Sequence, residues 1–232
     1  PGMIYGLSIA RDLGLLKDYT VYYFGNMEEW CDGIAPNAFV DVDPNVRPDF
    51  VVIGEPTRMN VYRGHKGRIE LKVTASGRSA HAAVHYLGDN AVYKMISIIN
   101  SIRELDRRFR FGMGSHPVLG HASVVVTDAA VRTNSLNAVP DQFTIFLDRR
   151  ITLNESHDEV IDLIKGLIPD YLRDEIKVEE LYYDTPSYTG FVFPLPKYFP
   201  AWLAEEKHPL VRAGQGTIED LWGEPRPLGT WE

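Results

Sequence analysis

Residues 67–182 pass through apolar patterns in the order strand, helix, strand, strand, helix, strand, and few folds accept that order. In 67–76, Ile69, Leu71 and Val73 fall at every second position, the period of a half-exposed strand. Residues 90–109 carry Met95, Ile98, Ile99, Ile102 and Leu105 on one helical stripe, with Asp89 or Asn90 as N-cap. Strands are predicted over 122–127 and 143–151. A second helix, over 156–172, opens on Ser156 and Glu159 as a capping box, and 177–182 alternates again as a strand. This order predicts a ferredoxin-like α+β sandwich.

The flanks read differently. A helix is predicted over 3–15, ending near Gly14. Residues 18–25 and 50–53 form runs of β-branched and aromatic residues that predict buried strands. A short helix over 28–39 and a Pro/Asp/Asn loop over 41–48 separate them. Strand and helix alternating in this way predict an α/β domain with a mostly parallel sheet and helices packed on it. Beyond 183 the chain is rich in Pro, Tyr and Phe, then predicts a helix over 209–221 that rejoins this first domain. The expected organisation is an α/β domain in two parts, 1–60 and 183–232, interrupted by an inserted α+β domain over 61–182. The start at Pro1-Gly2-Met3 and the end at Gly229-Thr-Trp-Glu232 are expected of an internal piece of a longer protein.

A hydrophobic content of 44% with 24% charged residues fits a soluble globular protein. The net charge of −8 comes without any basic block, so nucleic acid is not an expected partner. The single cysteine, Cys31, excludes an internal disulfide and fits a reducing compartment. No apolar stretch approaches the ~20 residues a membrane-spanning helix needs, so no membrane partner is expected and a cytoplasmic location is.

Glu28 and Glu29 follow the predicted strand that ends at Gly25, and Glu55 follows the next one in Gly54-Glu55-Pro56. Three carboxylates thus fall where strands of an open α/β sheet end, which is where such sheets bind ligands. Acids so placed can hold a metal and leave one carboxylate over as a base. The plain alternative for Glu28 and Glu29 is a solvated first turn of a helix. His81, in Gly77-Arg-Ser-Ala-His81-Ala-Ala, has small neighbours that leave its ring accessible; the alternative is an ordinary surface histidine. His85, His116 and His121 have no comparable setting. Asn137 precedes a strand carrying Asp148-Arg149-Arg150, where Arg150 could fork onto a substrate carboxylate or make a surface ion pair.

These pieces, in this order, resemble the co-catalytic dinuclear-metal amidohydrolases and peptidases that include aminoacylase, acetylornithine deacetylase, succinyl-diaminopimelate desuccinylase and carboxypeptidase G. The resemblance is carried by Asn26-Met-Glu-Glu-Trp-Cys-Asp-Gly33, Gly54-Glu-Pro-Thr57, Gly77-Arg-Ser-Ala-His81, Gly88-Asp-Asn-Ala91, Asn137-Ala-Val-Pro140 and Asp148-Arg-Arg150. Val61-Tyr-Arg-Gly64, Pro186-Ser-Tyr-Thr-Gly190 and Tyr198-Phe-Pro200 make the chain most similar to the YgeY-type branch, labelled selenium-metabolism hydrolases. The resemblance implies a metallopeptidase-type catalytic sheet with helices on both faces, incomplete in this chain, and an inserted domain that serves as lid and dimerisation unit. It implies Glu28 as general base, Glu29 and Glu55 as ligands of two divalent metal ions, and His81 as an oxyanion donor reaching into a partner's site. Asn137 and Arg150 are implied to bind the substrate's carboxylate. Zinc is the family default, with cobalt or manganese as alternatives, and a homodimer is implied through the inserted domain. The family's remaining ligands, a His and an Asp before Pro1 and a His after Glu232, lie outside the chain, so weak metal binding and no activity are expected of it alone. The expected activity of the complete protein is hydrolysis of an amide bond in an N-acyl amino acid or peptide-like substrate. A dipeptidase or carboxypeptidase of the same family, or a non-catalytic dimerisation or binding module, are the alternatives.

Overall fold

The computed structural model describes residues 2–25 and 35–232, which fall into two compact units. The first comprises Pro1–Arg58 and Tyr183–Phe193, the second Met59–Tyr182 and Pro194–Glu232.

In the first unit, α1 (Gly2–Asp12) and α2 (Ala35–Val42) are the regular elements among the described residues. The predicted strands over 18–25 and 50–53 do not form. Both runs lie outside any ladder, and their side chains stay largely exposed, Val52 at 66% and Ile53 at 75%. The reason is physical: β-branched and aromatic residues favour an extended backbone, but a strand exists only where a neighbour completes its hydrogen bonds. Phe24 instead stacks on Phe39 at 5.0 Å. An open, mostly apolar groove of about 540 Å³ is lined by residues that include Ile4, Leu7, Tyr19 and Tyr23. Of the predicted 28–39 helix, the first part lies outside the described residues.

The second unit begins with β1 (Tyr62–His65) and β2 (Gly67–Ser76), then a 3-10 turn over Ala82–Leu87 and α3 (Ala91–Arg110). Two-residue strands β3 (Ser115–His116) and β4 (Gly120–His121) form a small hairpin before β5 (Ser123–Arg132) and β6 (Gln142–Ile151). Then come α4 (His157–Lys165), β7 (Ile176–Glu180) and the short strands β8 (Tyr182–Tyr183), β9 (Leu195–Pro196), β10 (Tyr198–Phe199) and β11 (Trp202–Leu203). Helix α5 (Pro209–Trp222) and β12 (Gly229–Trp231) close the unit.

The main sheet is antiparallel, in the order β7-β2-β6-β5, with β10 extending β7's edge of β2 at Arg68 and Ile69. Strands one, two, three and four of the motif therefore lie in the order 4-1-3-2. This is the ferredoxin-like sandwich, and the mixed α/β class stands. One face of the sheet carries Ile69, Leu71 and Val73 of β2 with Ile145 and Leu147 of β6. Against it pack Met95, Ile98, Ile102 and Leu105 of α3, and Val160 and Ile164 of α4, all essentially buried. At about 25 cal/mol per Å² of apolar surface, this layer is the main source of the unit's stability. A second, three-stranded sheet pairs β1 with β11 antiparallel and with β12 parallel.

One charge is locked inside the helix-facing layer. Arg149 has 0% exposure, packs its guanidinium over the Phe109 ring at 4.2 Å and pairs with Glu155. Burial pushes the Arg149 guanidinium down from its ordinary value, and Glu155 opposes that push. Removing one member of a buried pair strands the other, which costs about 3–5 kcal/mol. Glu155→Ala is therefore expected to destabilise by about that much in chemical denaturation, and Glu155→Gln by less, because the amide still accepts a hydrogen bond.

Candidate active-site arms

The loop that follows β2 is sewn into place from both sides. Gly77 donates its N–H to Asp141 O at 2.8 Å, and a Cβ at Gly77 would sit 2.2 Å from Asp89 O, so only glycine fits. Arg78 and Asp89 exchange main-chain hydrogen bonds of 2.9 and 2.8 Å. Further along, Ala82 N–H donates to Asn137 O at 2.7 Å and Val139 N–H to Ala80 O at 2.8 Å, a bridge that sets His81 opposite Ala138. Fifty-six residues of sequence separation thus collapse to side-chain contact between His81 and Asn137.

The chemistry of that contact follows from its partners. His81 Nδ1 accepts the Ala83 N–H at 3.1 Å, so that nitrogen holds a lone pair and the ring proton sits on Nε2. Asn137 Oδ1 accepts the Ser135 hydroxyl at 2.6 Å, which leaves the Asn137 amide nitrogen facing the ring. The separation of Nε2 and Nδ2 is 3.5 Å. Two donors cannot bond each other, and both residues are exposed, so each N–H is left open to another acceptor. Sequence reading singled out His81 and Asn137 but missed Ser135 and the Ala83 amide, which fix the two side chains' orientations. A short Ser-x-Asn spacing was the one local signal for the first.

Arg150 lies at the opposite end of β6. Its guanidinium forks onto Asp148, Nε to Oδ1 at 2.7 Å and Nη2 to Oδ2 at 3.2 Å, and Nη1 donates to the Glu232 carbonyl at 3.2 Å. Asp148 and Arg150 share the sheet face away from the helices because strand side chains alternate. Asp148 is the orienting partner that the sequence reading did not assign. From Gln142 to Arg150 the strand rises roughly 27 Å at about 3.4 Å per residue, so Arg150 and the His81–Asn137 pair of one protomer do not meet.

Glu55 is exposed, and Glu28 and Glu29 lie outside the described residues. Among the described residues, no group of three or more His, Cys, Asp or Glu side chains could hold a metal ion. Glu55 alone does not fit one either, since a firm site takes three or four ligands. No helix among the described residues is long and apolar enough to cross a membrane.

Residues 63–175 match the peptidase dimerisation domain of the M20 family. Over 230 residues the chain is 36% identical to the uncharacterized protein YgeY of Escherichia coli, covering 99% of this chain and 56% of that protein. The segment 63–175 is thus a peptidase dimerisation domain of the M20 type. The chain spans only about half the length of YgeY, as that 56% shows. A probable succinyl-diaminopimelate desuccinylase of Staphylococcus aureus is 39% identical over 56 residues, 24% of this chain and 14% of that protein. Among solved structures, the aminopeptidase PepT of Bacillus cereus matches with a TM-score of 0.51 at 15% identity, over 74% of this chain and 39% of that one. A tripeptidase of Staphylococcus aureus matches with a TM-score of 0.50 at 12% identity, over 75% and 40%. These two likenesses show a shared fold.

Proposed function

We propose that this chain supplies the acid cluster and the substrate-gripping domain of a metal-dependent M20 hydrolase. Its substrate is an N-acyl amino acid or short peptide with a free carboxylate, and the bond cleaved is the amide. The observation that carries this reading is the pair of adjacent, exposed donors, His81 Nε2–H and Asn137 Nδ2–H, on two loops tied together by main-chain hydrogen bonds. The relative named as a desuccinylase acts, by that name, on an N-acyl compound, which favours a deacylase over a peptidase.

The assigned roles are these. Glu29 and Glu55 would ligate two divalent ions, zinc first, together with further ligands that neither residue supplies. Bound metal would polarise the amide carbonyl and acidify the attacking water. Glu28 takes the proton of that water and delivers it to the leaving nitrogen. His81 and Asn137 donate to the oxygen that becomes negative as the carbonyl carbon turns tetrahedral, and being held in place beforehand they need no reorganisation. Arg150, oriented by Asp148, pairs with the substrate's carboxylate. The domain assignment that goes with this is a catalytic part over 1–60 and 183–232 and a lid and dimerisation part over 61–182.

Because Arg150 lies roughly 27 Å along β6 from the His81–Asn137 loop, one site takes these groups from two protomers. His81 and Asn137 come from the partner copy, Arg150 from the protomer that holds the acids. A route for that exchange exists at β5, which pairs with β6 on one side and leaves Val125 and Val131 exposed. An open strand edge of ten residues is a template for a second strand. The loop carrying Asn137 leaves the end of that edge at Arg132, so edge pairing about a twofold axis carries it towards the partner.

The reading is tested by assaying the complete protein, loaded with zinc, cobalt or manganese, against paired N-acetyl amino acids and dipeptides. Release of the acyl group at the higher kcat/KM supports the deacylase. Preference for dipeptides would make the protein a peptidase of the same family, and metal-independent inertness towards both would make it a binding module.

A further inference from the structure

Outside these arms, His157 is held by more charge than a surface histidine needs. It is the first residue of α4, set by a complete capping box between Ser156 and Glu159. Its Nδ1 lies 2.9 Å from Asp158 Oδ1 and its Nε2 2.9 Å from Glu180 Oε1 on β7. The Tyr198 ring of β10 meets the imidazole edge-on, centroids 4.7 Å apart. Three elements therefore converge on one ring: α4, β7 and β10. The junction is also where the sheet changes strand, since Lys197 N–H donates to Leu181 O at 2.7 Å while Glu70 N–H donates to Lys197 O at 3.0 Å.

Both ring nitrogens face carboxylate oxygens, so only the imidazolium, with two N–H donors, satisfies both. The other charged groups nearby have their own partners: Glu159 in the capping box and Lys197 with Glu70 at 3.1 Å. Glu180 is the sheltered member, with 13% side-chain exposure against 93% for Asp158. A helix N-terminus disfavours a cation, so the helix opposes the charge that the carboxylates demand. Losing the proton would leave one carboxylate facing a lone pair beside the Tyr198 ring.

We propose that His157 is a proton-operated latch: charged, it clamps β10 and β7 to α4; neutral, it frees the β10 end of the sheet. The hydrogen bond with Asp158, followed by that with Glu180, raises the His157 pKa above its ordinary 6.5 despite opposing burial. The sign follows from that direction. The clamp is fully present below the unfolded-state value and is lost as pH rises through the higher folded-state value.

Hydrogen exchange of the peptide spanning 195–202, in the intact chain at about pH 5.5 and about pH 8.5 and corrected for intrinsic rates, tests the latch. Opening of this peptide in the wild type is expected to be several-fold more frequent at the higher pH, while α3 is unchanged. In His157→Gln the difference should vanish. In Glu180→Gln, which keeps the imidazole, the His157 midpoint followed by NMR should fall and the opening transition should move down with it. Opening that is independent of pH in the wild type would overturn the latch. So would a transition that persists in His157→Gln, or that stays at the wild-type pH in Glu180→Gln.

Discussion

Replacing Glu28 by alanine in the complete protein is expected to abolish amide hydrolysis while the metal content stays close to wild type. Glu29→Ala is expected to lose both. The two acids are adjacent in sequence, and the proposal gives one to the metal and the other to the substrate's proton. A positioned general base contributes about 10²–10⁴-fold, and in the proposed mechanism the same carboxylate would serve both the attack and the departure of the nitrogen. Steady-state turnover measured beside elemental analysis separates the roles. Metal lost from Glu28→Ala but retained in Glu29→Ala would show that the assignments are interchanged. Metal and turnover both retained in Glu28→Ala would remove it from the chemistry. Glu55→Ala should behave as Glu29→Ala does, because both are assigned as ligands.

The elements that were legible in the sequence are those whose pattern and partners lie in the same stretch of chain. Ile69, Leu71 and Val73 announced β2, and the stripe from Met95 to Leu105 announced α3, because each face is buried by the other. The predicted 156–172 helix is shorter than its apolar pattern. It stops at Lys165, and Pro169 caps a separate 3-10 turn over Asp170–Leu172. β5 runs further than predicted, through Asp128, Ala129 and Ala130, residues with little strand preference; the ladder to β6 and a bulge after Val126 carry it on. Residues 18–25 and 50–53 differ for the opposite reason: strand-like residues are present, and a ladder neighbour is not among the described residues. Arg149 and Arg150 show the limit most clearly. Adjacent in sequence, they lie on opposite faces, one locked under Phe109 and the other forked onto Asp148, and only the tertiary fold tells them apart.

Mixing two dead variants is expected to restore activity, and which pairs do so depends on which end of β6 each residue occupies. His81→Ala should cost about 2.7–4 kcal/mol of transition-state stabilisation through loss of an oxyanion donor. Arg150→Ala should raise KM steeply by removing the carboxylate's partner. In a mixed dimer, the protomer carrying His81→Ala keeps its own Arg150 and borrows an intact His81 from the other, so one of the two sites is whole. Random reassembly of equal amounts should then recover about a quarter of wild-type activity, since half the dimers are mixed and half their sites complete. The pairing of His81→Ala with Asn137→Ala is the internal control. Those residues sit on two loops of one protomer that are bonded to each other and travel together, so every site in every dimer lacks one donor and no activity returns. Recovery in that control would separate His81 from Asn137, and none in the first mixture would place Arg150 in the same arm as His81. That outcome contradicts the roughly 27 Å of β6 between them and would require a different route for the substrate.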